Sequence, residues 1–269
     1  MFLTRHNTPS GPRWALDGRF LAPDVTLGLL LDLPKRALPD ALRLLATEGP
    51  AEGPLLPPLE PMHEVWACGV TYLRSRDARK AESQVADVYQ RVYDAERPEL
   101  FFKASGWRVL GHGQPVRVRR DSRWNVPEPE LTLALNRTLE IVGYCAGDDV
   151  SSRDIEGGNP LYLPQAKIYD GACALGPGIQ IVEADLPDLP IWLEVIRSGE
   201  VAFHGETTTG SMKRRPEELA DWLGRELSFP HGAFLMTGTG VVPGDNFSLQ
   251  PGDRVRIAVG DLTLENPVE

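Results

Sequence analysis

The spacing of apolar and polar positions changes several times along the chain, most clearly between residues 127 and 149. There Leu131, Leu133 and Leu135 alternate with Thr132 and Ala134, the two-residue period of a strand. Asn136-Arg137 are turn formers, and an apolar run from Leu139 to Cys145 follows, so the two segments are predicted to pair as an antiparallel hairpin. Glu128 and Glu130 stand two apart at the start of the first strand, on one face. The return strand then delivers Gly147-Asp148-Asp149 beside Glu128.

Elsewhere the pattern predicts a strand-rich α+β chain. Residues 1–49 read as a small separate piece, with a hairpin or strand between Trp14 and Leu31 and a short helix at Asp40 to Ala46. The run Leu27 to Leu31 is expected in a core. Five prolines fall between Pro50 and Pro61, which forbids helix and sheet ladders and predicts a linker or a wrapped extended segment. The boundary is placed there, giving a small N-terminal domain at 1–58 and a catalytic domain at 59–269.

The larger part opens with an apolar strand at residues 65–72. Leu73 to Tyr93 is highly charged and then carries Val85, Val88, Tyr89 and Val92 at helical spacing, a long or broken helix. A swinging lid and a fixed surface helix fit that pattern equally. Val116 to Arg119 alternates like an edge strand. Further strands are expected at Gly178 to Val182, Ile191 to Arg197, around Val201 and at Phe234 to Met236, with a closing hairpin about Gly260-Asp261. A helix starting at Pro216, with Glu217 and Glu218 in its first turn, should bury Leu219, Trp222 and Leu223.

Composition narrows the function. The 269 residues carry a formal net charge of −10, which argues against a nucleic-acid partner. No run approaches the ~18 unbroken apolar residues of a membrane span, and Met1 to Pro12 has no export-signal pattern, so a cytoplasmic protein without a membrane partner is expected. Cys68, Cys145 and Cys173 are odd in number and lack C-x-x-C spacing, as reduced buried thiols would.

Three carboxylates gathered at one hairpin end repel one another unless a cation neutralises them. With oxygen donors alone, Mg²⁺ is the expected ion, with Mn²⁺ or Ca²⁺ as substitutes, in preference to Zn²⁺. A solvated acidic strand end is the plainer alternative. Thr237-Gly238-Thr239-Gly240 is a glycine-flanked bend whose amides and hydroxyl suit a small anion.

P-E-P-E-L at 127–131, G-Y-C-A-G-D-D-V-S-S-R-D-I-E at 143–156, Lys167 and Gly176-Pro177, in that order, closely resemble the fumarylacetoacetate hydrolase superfamily over about residues 62–269. The family's usual Asn-Asp pair appears as Asp148-Asp149. The resemblance implies a mixed β-sandwich roll behind the small N-terminal domain, and Glu128, Glu130 and Asp149 as ligands of Mg²⁺ or Mn²⁺. It also implies Lys167 beside the metal, Glu99 and Lys103 approaching it on Pro98 to Ser105, and Thr239 holding a substrate carboxylate. Ser151 and Ser152 would be turn hydrogen bonders and Arg153 would pair with Asp154. A homodimer or homotetramer is implied as well.

The substrate so implied is a 2-oxo acid, chelated through its carboxylate and keto oxygens so that its C3 protons become acidic. Carbon–carbon hydrolases of this family need a histidine on the lid. Here the lid starts G-V-T-Y-L-R-S-R, and no histidine lies between His63 and His112. T-Y-L-R-S-R and E-L-F-F-K resemble instead the dehydratase branch that acts on 2-keto-3-deoxy sugar acids such as 2-dehydro-3-deoxy-D-arabinonate, with 2,5-dioxopentanoate as product. That branch implies Glu99 and Lys167 as the acid/base pair: Lys167 takes the C3 proton and Glu99 protonates the departing C4 hydroxyl, or the roles are exchanged. Arg74, Ser75 and Arg76, where the lid starts, would grip substrate hydroxyls or equally be ordinary polar residues of a helix start, and Lys103 would contact substrate. The alternative is a Mg²⁺-dependent hydrolase or decarboxylase of acylpyruvates or oxaloacetate.

Overall fold

The computed structural model describes residues 1–46, 49–82 and 86–269, with side chains for all of these except 79–82 and 86–87. The hairpin forms as the alternation predicts, from Pro129–Leu135 and Ile141–Asp149, with Glu130 opposite Gly147 and Pro129 opposite Asp148. Every residue of both strands is buried. Both faces are covered, although Leu-Thr-Leu-Ala-Leu reads as a strand with one wet face.

On one face Leu131, Leu133, Leu135, Tyr144 and Ala146 pack with Ile191, Leu193, Val255 and Ile257. On the other, Ala134, Val142 and Cys145 pack with Leu3, Trp14, Val65 and Phe234. Val142 and Tyr144 fall on opposite faces because the return strand bulges there: Ala134 pairs with Gly143 but Leu135 with Ile141.

The hairpin lies inside a ten-stranded sheet whose strands run Arg19–Phe20, Gly11–Leu16, Phe2–Thr8, Cys173–Ile181, Ile141–Asp149, Pro129–Leu135, Ala233–Met236, Glu64–Gly69 and Glu99–Ser105, while Leu55–Leu56 pairs with Phe2–Thr8 off that path. The pairing of Ala233–Met236 with Glu64–Gly69 is parallel, which makes the sheet mixed. A four-stranded sheet, Glu200–Thr208, Pro190–Arg197, Arg254–Val259 and Leu262–Pro267, supplies the cover of the first face. The fold is the strand-rich mixed one expected.

The strands among residues 1–58 extend the same sheet and share its second apolar cluster. The proline-rich segment wraps back onto the first strand, and there, although the prolines are expected to forbid a ladder, Leu55 and Leu56 pair antiparallel with His6 and Arg5, since both keep a backbone N–H. Leu27–Leu30 is a helical turn capped by Thr26, and it buries Leu27 and Leu30 but leaves Leu29 exposed. The charged stretch forms helices Leu73–Glu82 and Ala86–Asp94; Val85 lies outside the described residues.

Two expectations are corrected. Val116 to Arg119 makes a single bridge, Val116 to Val268, because its amides go to different neighbours: Val116 and Val118 donate to the C-terminal strand region and Arg117 to Gly171. In helix Pro216–Gly224, Leu219 and Leu223 are buried but Trp222 is half-exposed, with Arg97 and Arg225 over its ring at 4.6 and 3.2 Å. Among the described residues no helix is long and apolar enough to cross a membrane.

Candidate active site

The hairpin register decides where the acids meet. Glu130 lies on strand Pro129–Leu135 and Glu128 just before it, its carbonyl taking the amide of Asp149, which ends the partner strand, so one oxygen from each carboxylate lies within 4.8 Å of the others. All three are buried. Each oxygen cluster is held from behind. The Gly238 amide donates to Glu130 Oε2 at 2.6 Å, the Arg153 guanidinium lies 3.1 Å from Glu128 Oε1, and the Lys103 ammonium lies 2.5 Å from Asp149 Oδ1. The Lys167 ammonium donates to Glu128 Oε2, Asp149 Oδ2 and Ser151 Oγ at 3.0, 2.9 and 2.6 Å.

Burial, and after it the charges of Asp149 and Glu128, hold the Glu130 carboxyl well above the usual carboxylate range. Asp148 is pushed up to about 8 by burial first and by Asp149 second. Its Oδ1 accepts the Glu128 amide at 3.2 Å, while Oδ2 has no hydrogen-bond partner. Burial, then Glu130 and Glu99, raise the Cys68 thiol far above its ordinary value, so it stays a thiol.

A narrow cleft reaches the triad at Glu128, lined by Gly69, Val70, Ser75, Glu99, Glu128, Glu156, Lys167 and Thr239, with Cys68, Phe101 and Leu163 as its apolar wall. Glu99 and Lys167, on different elements, therefore share one cleft. Glu99 starts its strand directly opposite Gly69, and a Cβ at residue 69 would come 2.0 Å from Glu99 Oε2. The missing side chain makes room for the carboxylate. Val70 then turns the chain with φ +54, a strained value for a β-branched residue that costs about 1–3 kcal/mol.

Not every expected contact is made. Lys103 stands behind Asp149, fully buried, and donates also to the carbonyls of Lys167 and Val150, so it braces a ligand and does not line the cleft. Arg74 is exposed and lies outside the lining, whereas Ser75, a further ~100° round the helix, is buried and lines it. Ser75 Oγ donates to the Tyr72 carbonyl at 2.8 Å. Thr239 lines the cleft, with its hydroxyl donating to the Val241 carbonyl at 3.1 Å.

The Gly238 amide of the same bend goes to Glu130, a carboxylate of the chain itself. Arg153 reaches Glu128, while Asp154 takes the Ser122 hydroxyl and the Arg123 amide at 2.5 and 2.8 Å. Ser151 and Ser152 hydrogen-bond as turn residues do, Ser151 to the Asp149 carbonyl and Ser152 to Asn125.

Glu156 was not anticipated. Arg153 and Glu156 are the buried residues of helix Arg153–Gly158, and their spacing of three puts both on one face, the signal that betrays them.

A profile of the fumarylacetoacetate (FAA) hydrolase C-terminal family matches residues 64–269. The chain belongs to the fumarylacetoacetate hydrolase family. Within this family, 208 residues are 48% identical to a probable 2-keto-3-deoxyxylonate dehydratase of Haloferax volcanii, over 76% of this chain and 72% of that one. A 2-dehydro-3-deoxy-D-arabinonate dehydratase of Saccharolobus solfataricus is 44% identical over 221 residues, 79% of this chain and 73% of that one. The fold matches a 2-keto-3-deoxy-D-arabinonate dehydratase complexed with magnesium and 2,5-dioxopentanoate, with a TM-score of 0.85, 34% identity and coverage of 100% of this chain and 99% of that one.

The family's divalent ion fits the residues present. The donors are all hard carboxylate oxygens, they converge, and Glu130 is held above its ordinary range by burial first and then by the charges of Asp149 and Glu128, a repulsion that a cation relieves. Glu128, Glu130 and Asp149 are the residues that would hold Mg²⁺.

Proposed function

We propose that this protein is a Mg²⁺-dependent dehydratase of a 2-keto-3-deoxypentonate, forming 2,5-dioxopentanoate. The observation that carries the reading is the meeting of Glu99 and Lys167 in one cleft above the carboxylate triad, in a chain whose relatives at 44–48% identity bear dehydratase names. An ion held by the triad would polarise the 2-keto group and so acidify C3.

The chain's own groups supply the rest. Thr239 and Ser75 border the cleft and orient the carboxylate and hydroxyl ends of the substrate. Lys167 Nζ, as the amine, removes a proton from C3, and Glu99 donates its proton to the C4 oxygen. The C4–O bond breaks, water leaves and C3=C4 forms, giving 5-hydroxy-2-oxopent-3-enoate. Transfer of a C5 proton to C3 and tautomerisation of the remaining C4–C5 enol give the aldehyde, with atoms balanced for loss of one water. Phe101, Leu163 and Val70 keep bulk water from the reacting carbons.

Hydrolysis of a carbon–carbon bond lacks its base. Among the described residues no histidine lines the cleft: His63 is buried against Glu60, and His112 accepts from the Glu265 amide. We further place the enzyme in the cytoplasm, as a homodimer or homotetramer, with the division between 1–58 and 59–269 as its domain boundary. Three buried free cysteines suit the compartment, and sedimentation measures the assembly. The reaction is tested by incubation with Mg²⁺ and 2-keto-3-deoxypentonate, acylpyruvate or oxaloacetate. Semialdehyde from the first is expected, and pyruvate from either of the others without semialdehyde overturns the reading.

A further inference from the structure

Helices Leu73–Glu82 and Ala86–Asp94 leave the body at Thr71-Tyr72 and rejoin it at Ala95-Glu96, three residues before Glu99. Both roots are fastened to one tripeptide. Tyr72 bridges to Met212, and the Lys213 amide donates to the Thr71 carbonyl at 2.9 Å. At the other root the Arg214 guanidinium donates to the carbonyls of Ala95 and Glu96 at 2.6 and 2.8 Å, and the Lys213 ammonium donates to the Tyr93 carbonyl.

Arg214 is 7% exposed and is itself aimed by Glu218 at 2.7 Å, from the first turn of helix Pro216–Gly224. Cations on the last carbonyls of a helix are favourable in themselves. Here they also tie two roots that are far apart in sequence.

What the roots carry makes the tie consequential. Gly69 and Val70 precede the first root, Glu99 follows the second, and all three line the cleft. Glu99 occupies the space that Gly69 leaves, at the last pair of the ladder between their two strands, where the roots of the cap begin.

We propose that Met212-Lys213-Arg214 is a clasp that holds the two roots of this helical cap together and thereby places Glu99 against the substrate, with Arg214 as its positioning residue. The proposal rests on the role given to Glu99 above. Arg214 touches no reacting atom and acts through the backbone of residues 95–96. The ligand triad, seated on the hairpin, is not moved by it.

The test compares Arg214→Met, Arg214→Lys and Lys213→Met with the parent in Mg²⁺, reading kcat on 2-keto-3-deoxypentonate. It also reads the affinity for 2-oxobutanoate, which has the carboxylate and keto oxygens but no C4 hydroxyl, and backbone amide exchange. A small misplacement of a catalytic group is costly, so Arg214→Met should lower kcat by about tenfold or more, with 2-oxobutanoate affinity within about twofold of the parent. Exchange should quicken at 69–72 and 95–99 and not at 129–149. Arg214→Lys, keeping the charge and part of the donor set, should recover part of kcat.

Parent-like kcat and exchange in Arg214→Met overturn the clasp, as does an equal loss of kcat and 2-oxobutanoate affinity, the mark of a general brace. If Arg214→Met does not fold, Lys213→Met decides, with kcat expected to fall about threefold for one lost hydrogen bond and parent-like kcat overturning it. If the parent itself does not dehydrate the pentonate, the assigned reaction falls, and unchanged exchange at both roots then sinks the clasp by itself.

Discussion

Pro129–Leu135 and Ile141–Asp149 are buried along their whole length, whereas Glu99–Ser105 is an edge strand that begins half-exposed beside the helical cap. The first region presents the ligand oxygens. Its ladder fixes their register, and Arg153, Gly238 and Lys103 each hold one carboxylate in place. The second presents Glu99, which depends on the gap at Gly69 and on the roots of the cap. A metal site gains from oxygens fixed before the ion arrives. In its proposed role as proton donor, Glu99 has to be brought to its place by the edge strand and the helical cap beside it. The two sides of one cleft therefore differ in burial and in what holds them, as the tasks proposed for them require.

The comparison breaks most completely on the hairpin side. Dialysis against EDTA, or Asp149→Asn, is expected to lower kcat/KM by about 10³-fold, read in the semialdehyde assay; Mg²⁺ should restore the dialysed parent and not the variant. Gly69→Ala attacks the other side alone. Its Cβ takes the place of Glu99 Oε2, and kcat should fall on the order of 10²-fold, with Mg²⁺ affinity and the melting temperature close to the parent's.

Lys103→Met removes the brace behind Asp149 without touching the cleft. Mg²⁺ affinity should weaken about 10–100-fold, and urea unfolding of the metal-free protein should show a loss of about 3–5 kcal/mol for a broken buried ion pair. If unfolding instead shows no loss, the hairpin is not held by this contact. The smallest effect is expected from Asp148→Asn. An amide keeps the oxygen that accepts the Glu128 N–H and removes a buried carboxylate oxygen that has no partner. The variant should melt no lower than the parent and keep kcat within about twofold; a marked drop would show that the carboxyl group itself has a use.

Much of the metal half was readable because strand period and turn chemistry are local. Glu128 and Glu130 share a face by spacing alone, and Asn136-Arg137 sets the return that brings Asp149 back. Resemblance added Lys167 and Glu99, and the fold brings both to the cleft. The reading failed where a side chain's surroundings come from distant segments. Lys103 and Glu99 sit on the same strand, four apart, yet one enters the cleft and the other braces Asp149 from behind. Arg74 and Ser75 are neighbours in a polar run, and helix rotation alone sends one outward and the other in. Val116 to Arg119 had the alternation of a strand but no single neighbour to pair with.

By itself the sequence determined the ligand triad, the hardness of the donor set and the lack of a histidine where hydrolysis would need one, since each depends on residue type and short spacing. Only the tertiary structure decided that both faces of the hairpin are dry, that Glu156 enters the cleft, that Gly69 gives up its space to Glu99, and that residues 212–214 tie the roots of the cap. Those facts come from packing between segments far apart in the chain, and local periodicity carries no information about which distant surface a given face will meet.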